Sequence, residues 1–240
     1  MSLNTAENEV KVLVTGFGPF QNITNNPSWE IASRLSSTLP KDSTIKLIVH
    51  PTPAISAYHA ILDYMPKLIQ EHDPDIILSI GLDQGRDYFA VEQSAQKEGY
   101  HEIPDRHRKV FTRAENKKLF CKAPDTLRSS LDLKSAVVRW RSEVGGMRLP
   151  LKACEEGNRA AKGKMKGWKE VDVRLSDEVG NFTCGFIYYV GLLEKEKRGK
   201  GDVVFLHVPW LEGDEEIGVG VKVTEKLIGA LVESWRGQRS

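Results

Sequence analysis

The chain has few cysteines: Cys121, Cys154 and Cys184 among 240 residues. Their number is odd, their spacing is wide, and none forms a CxxC or Cys/His zinc pattern. That argues against a disulfide scaffold and a structural zinc site, and it favours a reducing compartment. Long apolar runs are also missing. No segment approaches the roughly 18 residues of a membrane span, and the polar start MSLNTAENEVK has no secretory apolar core. Net charge is almost absent, at +1 from 34 basic and 33 acidic residues, so no global field draws in nucleic acid or an anionic membrane. Phosphate loops are absent too. The turn Thr15-Gly16-Phe17-Gly18-Pro19-Phe20 lacks GxxxxGK[ST] and GxGxxG, and Pro19 removes one backbone donor. These absences lead to the expectation of a cytosolic protein with no membrane or nucleic-acid partner.

A chain of this length with 40% apolar residues can bury a core without disulfides or metals. One domain over residues 1–240 is expected. Short β-branched or apolar runs at 10–15, 44–50, 75–80, 87–92, 170–175 and 202–208 predict strands. Helical patterns follow Ser28 and cover 54–71, 131–143, 182–196 and 214–235. Asn26 and Ser28 are the candidate caps of the first helix. Residues 101–130 read as irregular and basic. Residues 144–169, with GNRAAKGKMKGWK, read as a basic surface insertion, for which a solvated loop is the plain reading and an RNA or phosphate contact the sharper one. The alternation of strands and helices implies an α/β fold, a mostly parallel twisted sheet with helices on both faces. Chemistry in such folds collects at strand carboxyl ends. GFGPF, GLDQGRDYFAVE, SDEVGNFTC and HVPWL all fall there on this reading.

Three residues stand out. Cys184 lies in the expected first turn of a helix, where unpaired N–H groups and the helix dipole would lower its pKa and could hold an oxyanion. A buried, inert cysteine is the competing reading. His207 ends the run DVVFLHV, before Pro209, and suits a base beside a thiol. A core histidine is the alternative. Glu92, after Phe89-Ala90-Val91, would orient that histidine, or is simply a surface glutamate. Phe17 and Phe20 suit the apolar wall of a pocket for a flat ring, or plain core packing.

Taken in order, KVLVTGFGPF with NNPSW, PDIILSIGLDQGR, FAVEQSAQKEGY with IPD, SDEVGNFTCGFIYY and VFLHVPWL resemble the type I pyroglutamyl peptidases, also called pyrrolidone-carboxylate peptidases. The resemblance covers most of the chain and is weakest over 106–170. It implies a three-layer α/β/α sandwich and a cysteine peptidase that removes an N-terminal pyroglutamyl residue through a thioacyl-enzyme. It implies Glu92, Cys184 and His207 as the catalytic set, Phe17 and Phe20 flanking the pyroglutamyl ring, and Arg86 as a source of positive charge for substrate. Pyroglutamyl peptides are the implied partner, with no metal or organic cofactor. A homo-oligomer is compatible with the sequence, which does not fix the assembly. Two positions depart from the family pattern: Glu102 stands where many members carry arginine, and Val179 stands where the family has alanine. They keep open a member that binds pyroglutamyl peptides without turnover. A nucleoside phosphorylase-like transferase is a further alternative, but it lacks a clear anion site.

Overall fold

The structure is a computed structural model that describes residues 9–150, 167–199 and 202–239. Its elements run β1 (Val10–Gly16), α1 (Pro27–Ala32), β2 (Thr38–Leu39), β3 (Asp42–Val49), α2 (Tyr58–His72), β4 (Ile76–Leu82), β5 (Phe89–Glu92) and β6 (Ser94–Gln96). They continue with α3 (Arg113–Phe120), β7 (Thr126–Arg128), α4 (Leu133–Val144), β8 (Arg148–Pro150), β9 (Trp168–Glu170), β10 (Val173–Ser176), α5 (Thr183–Arg198), β11 (Asp202–Val208) and α6 (Gly213–Gly237).

The main sheet has the order β10-β5-β11-β4-β1-β3-β2. β3, β1, β4 and β11 form a parallel block. β4 and β11 are buried at every position, as continuous apolar runs in a covered parallel sheet should be. β5 pairs antiparallel with β11, and β10 follows β5 in parallel. The sheet is therefore mostly parallel, but β5 and β10 at one edge and the short β2 at the other run against the block. One face packs against α1, α4 and α6 through residues such as Ile31, Trp140 and Leu227. The other packs against α2, α3 and α5 through Met65, Phe120 and Phe186. This is the three-layer α/β arrangement expected of the sequence.

Several elements depart from the sequence reading for local reasons. The first helix is short and ends at Ala32, and Thr38–Leu39 pair with β3 as a strand. Asn26 is its cap: Oδ1 accepts from Ser28 N at 3.1 Å, with Pro27 in the first turn. The second helix starts at Tyr58 and not at residue 54. Its cap position, Ala57, has no side chain to offer. The distant carboxylate of Asp105 accepts from Tyr58 N at 3.0 Å instead, and the same side chain accepts from His107 N and Lys109 N. The stretch 101–130 is not wholly irregular. Thr112 and Glu115 close a capping box on α3, and β7 pairs with β6. At the ends of 144–169, β8 and β9 pair antiparallel. Residues 151–166, which hold most of the basic run GNRAAKGKMKGWK, lie outside the described residues.

Trp140 tests the packing of the outer layer. It is fully buried in α4, and its Nε1 donates to the Val223 carbonyl of α6 at 2.9 Å. Trp140→Ala is expected to destabilise the protein by about 3–5 kcal/mol. Urea unfolding should show a lower midpoint at unchanged slope, and a loss below about 1 kcal/mol would mean that α4 does not anchor this layer.

Candidate active site

Strand parity decides which side chains meet. On β11, Val203 and Phe205 belong to the core under α2 and α5, and Val204, Leu206 and Val208 to the opposite core. Side chains alternate, so His207 projects toward α5. On β5, Phe89 and Val91 face the opposite core, so Glu92 shares the α5 side with His207. On β4, Ile77 faces α5, and Gly81, four residues on, does too. Gly81 is the register partner of His207, and Phe205 of Glu92.

The cysteine arrives on this face by a return of the chain. β10 runs opposite to β4 and β11, and residues 177–182 bring it back to the edge where those two strands end. α5 then begins at Thr183, with Cys184 in its first turn. The N–H groups of Thr183, Cys184 and Gly185 have no acceptor within the helix. Gly185 makes the entry possible: a Cβ there would meet the Gly180 carbonyl oxygen at 2.2 Å. Gly81 makes room for the sulfur itself. A Cβ at residue 81 would lie 2.7 Å from Cys184 Sγ and 2.6 Å from Phe205 Cζ. The thiol therefore rests on the bare backbone of Gly81, beside the strand position of His207.

Glu92 is fully buried and completely engaged. Its Oε1 lies 2.9 Å from His207 Nδ1 and accepts from Arg86 Nη1 at 2.6 Å, and its Oε2 accepts from Glu178 N at 3.0 Å. Burial pushes the carboxyl toward protonation. The bonds to His207, Ser176 and Arg86 outweigh it and hold the group below its usual range. With Nδ1 tied to Glu92, Nε2 is the imidazole nitrogen left for proton exchange. The His207 ring packs edge-on against Phe205, with centroids 4.8 Å apart. Tyr188 OH donates to the Glu92 carbonyl at 3.0 Å.

The Cys184 thiol differs from the sequence expectation. Burial, followed by the carboxylates of Asp83 and Glu92, pushes it up to about 12, with Arg86 pulling the other way. A helix N-terminus contributes up to ~2 kcal/mol, or about 1.5 pH units, too little to reverse that rise. Burial therefore favours the protonated thiol over the thiolate.

The remaining sequence candidates occupy distinct places. Phe17 is 2% exposed and is part of the α2/α5 core. Phe20 is partly exposed, and its ring centroid lies 6.3 Å from that of Phe182 at the start of α5. Ser28 Oγ and Asn26 Nδ2 bond to the Phe17 and Gly18 carbonyls at 3.2 and 3.0 Å, which fixes the Gly-Phe-Gly turn. Arg86 directs Nε to Asp83, Nη1 to Glu92 and Nη2 to the Glu178 carbonyl. Glu102 accepts from Asn181 Nδ2 at 2.6 Å, and Val179 is packed into the core. Gly81, Phe205, Tyr188 and the Glu178 peptide were not singled out from sequence. The alternation along DVVFLHV already places Phe205 beside His207. The Gly81 and Glu178 contacts join distant segments and leave no local signal. Among the described residues, no group of His, Cys, Asp and Glu is arranged to hold a metal ion.

The raised thiol predicts a pH dependence. A group whose pKa is raised toward 12 stays protonated through neutrality, and its thiolate fraction grows roughly tenfold per pH unit below that value. Alkylation of Cys184 by iodoacetamide, followed by mass spectrometry of its peptide without substrate, should climb steadily from about pH 6 to 10. A plateau between about pH 6 and 8 would mean a preformed thiolate.

Known proteins resemble the chain along most of its length. The profile of the family described as pyroglutamyl peptidase matches residues 10–143. The pyrrolidone-carboxylate peptidase of Bacillus subtilis is 28% identical over 203 residues, covering 84% of this chain and 79% of that protein. Pyroglutamyl-peptidase 1 of Mus musculus is 24% identical over 235 residues, covering 93% and 92%. Among solved structures, pyroglutamyl peptidase I from Bacillus amyloliquefaciens superposes with a TM-score of 0.68 at 21% identity, over 93% of this chain and 95% of that one. The pyrrolidone carboxyl peptidase of Thermococcus litoralis gives 0.70 at 17% identity, over 96% and 97%. With its three-layer fold and a family match spanning more than half its length, the chain belongs to the pyroglutamyl peptidase family.

Proposed function

We propose that the chain is a cysteine peptidase that hydrolyses the amide bond after an N-terminal pyroglutamyl residue, with Cys184 as nucleophile, His207 as acid and base, and Glu92 as the carboxylate that orients it. The observation that carries this reading is the Glu92 Oε1–His207 Nδ1 contact at 2.9 Å, on the sheet face where Cys184 Sγ rests against Gly81. Family membership supplies the substrate class.

The steps follow from the resting state. His207 Nε2 takes the thiol proton as the sulfur attacks the pyroglutamyl carbonyl. The imidazolium that forms is met by the buried Glu92 carboxylate. The first-turn N–H groups of α5 receive the developing oxyanion, where they need no reorganisation. His207 returns the proton to the leaving amine as the C–N bond breaks, which leaves a thioester. Water, deprotonated by the same imidazole, then attacks the thioester and releases pyroglutamate and the free thiol.

The pyroglutamyl ring is a neutral lactam. Aromatic walls such as Phe20 and Phe182 can cover it at little cost, while a free glutaminyl amine would have to shed its hydration there. The two departures from the family pattern are both accommodated by contacts within the fold. Val179 is buried in the core and Glu102 is bonded to Asn181, so neither favours binding without turnover. Among the described residues no helix is long and apolar enough to cross a membrane, and a cytosolic site of action accords with the sparse, scattered cysteines.

The test is hydrolysis of a pyroglutamyl amide with a fluorogenic amine. The wild-type chain should turn it over, and should reject the glutaminyl amide. Cys184→Ala and His207→Ala should each lose at least about a thousandfold in kcat. Turnover that survives Cys184→Ala would remove the nucleophile, and a wild-type chain without turnover would remove the reading.

A further inference from the structure

Arg86 holds a place that the proposed reaction does not use. Its side chain is 10% exposed, in the turn after β4. All three guanidinium nitrogens are committed to protein: Nε to Asp83 Oδ2 at 2.8 Å, Nη1 to Glu92 Oε1 at 2.6 Å, Nη2 to the Glu178 carbonyl at 2.7 Å. An arginine that receives substrate would keep a donor edge free. This one closes a ring. The Glu178 peptide gives its N–H to Glu92 and its carbonyl to Arg86, so one peptide of the loop before Cys184 is gripped at both ends by an ion pair. Glu92 Oε1 is moreover shared, for it accepts Arg86 Nη1 while lying 2.9 Å from His207 Nδ1.

We propose that Arg86 is a positioning residue with two effects: it clamps the cysteine loop to the Glu92 carboxylate, and by dividing that carboxylate with His207 it keeps the imidazole less basic than an undivided Glu–His pair would be. The inference rests on the reading of Cys184, His207 and Glu92 as the reacting line. A buried carboxylate beside a histidine favours the imidazolium, and the more so the less that carboxylate is shared with another cation. A permanent cation on the same oxygen opposes the imidazolium and leaves the ring free to accept the thiol proton. The titratable and charged groups that face the pair are Asp83 and Arg86 from the turn after β4, Glu92 from β5, and Cys184 and Tyr188 from α5. Tyr88 stands beside Arg86, with its ring centroid 5.7 Å from the guanidinium carbon. Tyr58 from α2 also interacts with Cys184, and among these described groups Arg86 is the permanent cation.

The sign follows. Removing a like charge from the neighbourhood of an imidazole raises its pKa, by about one pH unit or more at this range, so the acid limb of activity moves to higher pH. The measurement is kcat and KM against pH for the wild type, R86Q and R86K on the fluorogenic pyroglutamyl amide. It is paired with NMR titration of the His207 ring without substrate. R86Q should lose about ten- to a hundredfold in kcat, keep KM within about twofold, and show both the acid limb and the imidazole titration displaced upward by about one unit. R86K keeps the charge but loses the fork, so its acid limb should stay while kcat falls. A rise in KM alone would make Arg86 a substrate contact and overturn the proposal. A fall in kcat with an unmoved imidazole in folded R86Q would overturn the charge-sharing. Should R86Q not fold, R86K decides: a displaced acid limb or an unchanged kcat overturns the proposal. A wild-type chain that does not hydrolyse the amide overturns the peptidase reading instead, and the substrate-free titration still separates the two failures.

Discussion

A carboxylate with no exposed surface organises this site. Glu92 sits where β5 meets β11 and β10, and it draws one partner from each neighbourhood: His207 from β11, the Glu178 N–H from the loop after β10, and Arg86 from the turn after β4. A buried charge is costly unless it is paired and hydrogen-bonded. Removing any one partner leaves the others holding an under-compensated ion. Three segments far apart in the chain are thereby fixed relative to one another by one requirement, and Cys184 follows directly on the loop that one of them anchors.

The direction of the strands gives that requirement its shape. In a wholly parallel sheet the carboxyl ends of neighbouring strands would all lie on one edge. Here β5 and β10 run against the block, so Glu92 sits opposite Phe205, in the body of the sheet and away from its rim. The carboxylate is therefore deep, and His207 lies nearer the rim, at the register position of Gly81, against which the thiol rests. Gly81 completes the geometry from β4. Its missing side chain is the space the sulfur occupies, so the position of the nucleophile is set by a backbone as much as by its own helix.

Much of this was legible in the sequence, though unevenly. The buried runs DIILSI and DVVFLHV declared central strands, and parity along the second places His207 with Phe205. The motif order pointed to Glu92, Cys184 and His207. What stayed hidden was decided at a distance. Residues 54–57 carry a helical pattern, yet α2 waits for Tyr58 because its cap is supplied by Asp105. The Thr112–Glu115 capping box announces α3 by local chemistry, but the segment buries only Asn116 and Phe120 and shows little apolar periodicity. The thiol was misjudged for the same reason. A helix N-terminus is a local feature that favours the thiolate, whereas the burial and the two carboxylates that oppose it come from the tertiary fold.

That last reversal gives the site its logic. A thiol held neutral is protected from solvent oxidants and electrophiles, but it needs a base that is itself neutral when substrate arrives. The same carboxylate that raises the thiol also stabilises an imidazolium at His207. A second cation on Glu92 reconciles the two demands. Arg86 opposes protonation of the imidazole and pulls the thiol pKa downward, while keeping Glu92 ionised for the moment when the proton moves. In the proposed reaction the thiol proton passes to His207 as the carbonyl accepts the sulfur. At that moment the oxyanion meets the free N–H groups of α5 and the imidazolium meets Glu92. Charge is created where opposing charge and dipoles already stand, which is the condition for stabilising the transition state more than the resting enzyme.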